Sequence, residues 1–93
     1  MTIVNICGIP HEIIETEQTI GTDTTLGQIN YGEAKIYINK GIAPQLKKEA
    51  LCHEIIHGIL IHIGRGELSE DECFVQSLGN AINQTFDVKE AKE

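Results

Sequence analysis

Cys52-His53-Glu54-Ile55-Ile56-His57-Gly58 decides how the rest of the chain is read. Two histidines stand four residues apart, and a glutamate directly follows the first. On a helix, residues four apart lie about 40° apart around the axis, so His53 and His57 share one face. Two neutral imidazoles at that spacing reach one zinc ion. Glu54 then has the position of a general base: it can reach a water held by the metal without being a ligand itself.

A pattern this short arises by chance in about one shuffled chain of this composition in fifty, so its surroundings have to support it. Residues 46 to 63 carry Leu46, Ala50, Leu51, Ile55, Ile56, Ile59, Leu60, Ile61 and Ile63. These spread around most of the helical wheel, which predicts a largely buried helix. Polar groups buried without partners are costly. A helix whose histidines merely hydrogen-bond within a core must therefore satisfy three polar groups at once. The helix is expected from about Pro44, suited to a first turn, to the break at Gly64-Arg65-Gly66.

Working outward, the upstream segment 1–43 reads as strands and loops. Ile3 to Cys7 and Glu12 to Glu15 predict two strands joined by a turn at Gly8-Ile9-Pro10. His11, just after that turn, is expected to be exposed and without a role. Thr16 to Thr25 is polar and reads as a loop. Leu26 to Tyr31 predicts a third strand, and Ala34 to Asn39 a fourth, with Ala34, Ile36 and Ile38 facing the core. Downstream, a second helix is expected over 69–86. Its apolar stripe comprises Phe74, Val75, Leu78, Ala81, Ile82, Thr85 and Phe86. Residues 87–93 are charged and read as a frayed tail.

The chain has 93 residues, which fits a single domain with a thin core. Its net charge of −7 argues against nucleic acid and anionic membrane surfaces as partners. No apolar run has the length of a membrane span, and Met1 to Asn5 lacks the basic start of a secretion signal, so a cytoplasmic location is expected. Cys7, Cys52 and Cys73 form no C-x-x-C pair and, being odd in number, suggest no disulfide framework. All three are expected to be buried thiols.

A catalytic zinc normally has three protein ligands and one open position. A third histidine six residues after His57 is ruled out, because Ile63 stands there and Leu60 replaces the helix-breaking glycine. His62 lies about 180° around the helix from His53 and reads as a surface or cap-region residue. A carboxylate from the second helix is the other route, and Glu70, Asp71 and Glu72 all stand at its start. The wheel does not choose among them. Ser69-x-x-Glu72 also fits a capping box, in which the glutamate would bond the backbone of the cap residue.

From Leu26 to about Phe86 the chain resembles a minimal gluzincin, and more narrowly the ImmA/IrrE-type metallopeptidase-like proteins and their small phage-encoded relatives. Tyr31 before the turn, Ile36-Tyr37-Ile38 as a strand and Leu51 to His57 as the active helix carry the resemblance. So does Glu72 followed by Val75, Gln76, Leu78 and Gly79. It implies His53, His57 and Glu72 as zinc ligands and Glu54 as general base. The fold it implies is α+β and zincin-like: a small curved, mostly antiparallel sheet packed on the active helix, with the second helix behind. Gln76 departs from the family, which commonly has asparagine there. No residue clearly matches the family's additional transition-state donor; Tyr31 or Tyr37 could serve, but a core or rim role is the favoured reading of either tyrosine.

The expected activity is peptide-bond hydrolysis by zinc-activated water on a peptide or protein substrate, such as a regulatory protein. Glu54 would pass a proton to the leaving amine. The strand Ala34 to Asn39, if it lies at the sheet edge, would pair with the extended substrate. The alternative is a zinc-binding structural or interaction module of phage or prophage origin, without turnover.

Overall fold

The structure, a computed structural model, describes residues 1–17 and 26–92. Its first element is a hairpin of β1 (Thr2–Ile6) and β2 (Ile9–Thr16). The connection is Cys7-Gly8, with φ of 51° and 82°. Two positive φ values in a two-residue loop belong to a type I′ turn, whose twist matches that of the flanking strands. The turn is therefore one position earlier than Gly8-Ile9-Pro10, and Ile9 already pairs with Ile6. Pro10 is tolerated in the strand because it faces Asn5 at a non-hydrogen-bonded pair, and the next strand joins only at Glu12.

That register also corrects His11. Cross-strand partners share a face of the sheet. His11 stands opposite Val4, on the face that packs into the core, and is 1% exposed. Its Nδ1–H donates to the Ile9 carbonyl at 2.8 Å. Cys7, at the hairpin tip, is exposed, as is Cys73, while Cys52 is buried. Of the loop expected over Thr16 to Thr25, Thr16 belongs to β2 and residues 18–25 lie outside the described residues.

The next hairpin is β3 (Gly27–Asn30) and β4 (Lys35–Asn39), with Ala34 in the turn at φ 54°. Ile36 and Ile38 are buried, as the alternation requires. β4 also pairs with β2, in parallel, from Glu12↔Lys35 to Thr16↔Asn39. It is thus an interior strand, which overturns its expected place at the sheet edge. β3 is outermost on that side among the described residues. At the far side β5 (Glu90–Lys92) pairs antiparallel with β1, where a frayed tail was expected. The strand order is β3-β4-β2-β1-β5, a mixed sheet in which the β2–β4 pairing is parallel and the others antiparallel.

Helix α1 (Pro44–His62) starts with proline in its first turn and ends in a Schellman motif. Arg65 N–H donates to Leu60 at 2.8 Å, Gly64 N–H donates to Ile61 at 3.1 Å, and Gly64 takes the left-handed conformation. A single turn, α2 (Gly66–Ser69), leads to α3 (Glu72–Thr85). The expected helix over 69–86 is therefore split. α1 lies between the sheet and α3, which explains apolar residues on nearly every side of it. Ala50 and Leu51 pack with Val4, Ile6, Ile29, Ile36 and Ile38. Ile56 and Leu60 pack with Val75, Leu78 and Ile82. Phe74, Ala81, Thr85 and Phe86, placed in the stripe by the sequence, are exposed. No helix among the described residues is long and apolar enough to cross a membrane.

Two glycines set the distance between layers. A Cβ on Gly58 would lie 3.0 Å from Ile29 Cδ1 and 3.1 Å from Ile6 Cδ1. A Cβ on Gly79 would lie 3.4 Å from the backbone of His53. α3 therefore crosses α1 closely where the histidine motif begins.

Candidate metal centre

α3 opens on Asp71, whose side chain accepts from the Phe74 N–H at 3.0 Å and caps the helix. That leaves Glu72 free to reach across to α1. The capping box that Ser69-x-x-Glu72 also fits does not form, since Asp71 caps α3, and neither Glu70 nor Asp71 joins the histidines. Glu72 Oε2 lies 3.0 Å from His53 Nε2, and its Oε1 lies 3.2 Å from His57 Nε2. The two Nε2 atoms are 3.2 Å apart. Ligand atoms about 2.0–2.1 Å from one tetrahedral centre sit about 3.3 Å from each other. His53, His57 and Glu72 form a group of the kind that holds a metal ion.

The hydrogen bonds behind the rings fix which nitrogen faces that centre. Gln76 Nε2 donates to Glu49 at 2.7 Å and to Asn80 at 3.2 Å. An ionised carboxylate only accepts, so Glu49 sets the orientation of the amide. Gln76 Oε1 then faces His53 Nδ1 at 2.6 Å, and Nδ1 carries the proton. A neutral His53 presents a bare Nε2 lone pair to the carboxylate of Glu72. On the other ring, His57 Nδ1 lies 2.7 Å from the Ser69 hydroxyl. Lone pairs and a carboxylate facing each other repel unless positive charge lies between them. One proton serves two of these atoms, whereas one metal ion serves all three.

Glu54 takes another environment. It is 8% exposed and turned toward β3, with its Cγ beside Gly27. Its pKa is raised to about 7, first by burial and then by the Glu72 charge, against His53 and the Ile29 backbone N–H. His57 is pulled below its ordinary value, again mainly by burial, although Glu72 opposes this. Burial also raises the Cys52 thiol.

These groups open onto a cleft of about 520 Å³. Leu26, Gly27 and Tyr31 line it from the strand side, and Glu49, Glu72 and Gln76 from the helices. Tyr37 lies elsewhere, its hydroxyl donating to Glu33 at 3.4 Å. His62 is exposed, and its ring meets that of His11, 5.8 Å away edge-on, outside the cleft.

Three contributors were not recognised in the sequence: Ser69, Gln76 and Glu49. Two carried a usable signal. Glu49 stands four residues before His53 and Gln76 four after Glu72, so each shares a helix face with a member of the site. Ser69 was hidden by its fit to a capping pattern. The chain matches no protein-family model, no curated protein and no solved structure.

Proposed function

We propose that the chain is a zinc-dependent metallopeptidase of the gluzincin, ImmA/IrrE-like type, with one zinc ion held by His53, His57 and Glu72. The observation that carries this reading is the convergence of those three side chains while both Nδ1 atoms are occupied by outer partners. A two-histidine, one-glutamate set suits a hydrolytic zinc site. Zinc bound there would acidify a water and polarise a carbonyl oxygen. Glu54 takes the proton of the attacking water and passes it to the leaving amine. A carboxylate with a pKa near 7 is matched to that exchange at neutral pH. The Ile29 N–H holds Glu54 in place from β3.

β3 supports a protein substrate. It is the outermost strand on the cleft side among the described residues, and its residues border the cleft. An extended peptide added beside it would run past Glu54 and the histidines.

The test compares zinc-loaded wild type with Glu54→Gln on a library of peptides from a whole-proteome digest, read by mass spectrometry. The reading expects cleavage by the wild type and a rate at least about 100-fold lower for the variant, with one zinc per chain in both. Zinc retained without cleavage by either protein identifies the non-catalytic zinc module instead. A chain that takes up no zinc ends both.

A further inference from the structure

We propose that Ser69 positions His57 in two directions, its hydroxyl donating to the ring in the metal-free chain and accepting from it once zinc is bound; this rests on the zinc site of the reading above, not on turnover. Ser69 ends α2 and is 7% exposed, and its Oγ lies 2.7 Å from His57 Nδ1. The partner of the other ring works in one direction only. Gln76 Nε2 donates to Glu49 and Asn80, so Gln76 Oε1 accepts and His53 keeps its proton on Nδ1. His53 Nε2 and the Glu72 carboxylate therefore bring nothing but lone pairs to the centre.

A neutral His57 is the remaining source of a hydrogen there. Its Nε2 lies 3.2 Å from Glu72 Oε1 and 3.2 Å from His53 Nε2, within hydrogen-bond reach of both. In the metal-free chain Nε2–H donates to the carboxylate and relieves the repulsion, which leaves Nδ1 bare. Ser69 satisfies it by turning its O–H to the ring. Zinc demands the reverse, because a ligand nitrogen offers its lone pair. The Nε2 proton passes to water and Nδ1 takes one from water, so the ring stays neutral. Ser69 Oγ then accepts from Nδ1–H after a rotation about its Cβ–Oγ bond, and no heavy atom has to move. A carboxylate or a backbone carbonyl, both common outer partners of ligating histidines, only accepts. Either one in place of Ser69 would leave the metal-free triangle without a hydrogen.

The test reads the ring protons and needs no substrate. Long-range proton–nitrogen NMR spectra tell the two neutral histidine forms apart. They are taken at about pH 8, where imidazole is uncharged, without metal and with one equivalent of zinc. In the wild type, His57 is expected to carry its proton on Nε2 without metal and on Nδ1 with zinc, while His53 keeps Nδ1–H in both. Ser69→Ala is expected to give mixed His57 forms without metal and to bind zinc about ten-fold more weakly. Ser69→Thr, which keeps a hydroxyl, is expected to restore the wild-type pattern. The wild-type spectra decide by themselves if a variant does not fold. A His57 proton on the same nitrogen in both states overturns the two-way role and leaves the zinc centre standing. A folded Ser69→Ala chain with wild-type spectra and zinc affinity overturns it too. Wild type that binds no zinc removes the centre, and the role of Ser69 with it. The proton shift seen in a chain that cleaves no peptide supports the role of Ser69 while the peptidase reading fails.

Discussion

Glu54 and Glu72 are the same side chain in two settings, and the settings divide their work. The Glu72 side chain is 67% exposed and meets both Nε2 atoms, whereas Glu54 is 8% exposed beneath β3. For Glu54, a pKa raised from 4.5 to about 7 means the folded chain binds more protons than the unfolded chain between those values. Its contribution is therefore favourable below about pH 4.5 and is lost as pH rises through 7. Glu54→Gln removes that loss. In metal-free urea titrations the variant should be more stable than the wild type above pH 7, by about 1–3 kcal/mol, and the difference should vanish toward pH 4. Gln76 gives a second residue-level prediction. Gln76→Leu deprives His53 Nδ1–H of its acceptor, and zinc affinity measured against a chelating dye should fall about 10- to 100-fold.

At the scale of elements, α1 is held from both sides and its spacing depends on small residues. Gly58→Ala would gain about 1 kcal/mol of helix propensity. Its methyl would also press on Ile6 and Ile29 at 3.0–3.1 Å, and overpacking of this kind costs about 1–3 kcal/mol. The second effect wins, so thermal unfolding of Gly58→Ala should show a net loss of about 1 kcal/mol.

The same comparison explains what could be read in advance. α1 was legible because its proline, its glycine stop and its histidine spacing are all local signals. β4 was legible because Ile36 and Ile38 alternate with polar residues. Its pairing was not legible, since the partner β2 lies about twenty residues earlier and no local residue reports a parallel neighbour. β5 was missed because Glu90-Ala91-Lys92 is exposed and has no apolar face; its pairing with β1 is a backbone matter. His11 was misplaced because a turn position shifted by one changes where the strand begins and which face its residues occupy. By the helical wheel Glu72 was one of three carboxylates, and the family resemblance alone singled it out. What separates it from Asp71 is which of them caps α3, a detail of backbone geometry.

For the whole molecule, the candidate metal centre lies between two helices. His53 and His57 belong to α1 and Glu72 to α3, so an ion held by them would tie the helix pair together beside the small Ile56–Leu60–Val75 cluster. An ion that binds only the folded chain stabilises it by about 2.7 kcal/mol at a free concentration one hundred times its dissociation constant. In a domain of this size that corresponds to a rise in Tm of about 10–20 °C. Calorimetric scans with zinc and with a chelator should differ by that amount, and Glu72→Ala should abolish the difference.

Isothermal titration of zinc into metal-free wild type and Glu72→Ala, in parallel, addresses the centre directly. The prediction is one ion per wild-type chain and binding weakened at least about 100-fold in the variant. Wild type that takes up no zinc, or a variant that binds it equally well, would contradict the assignment of His53, His57 and Glu72.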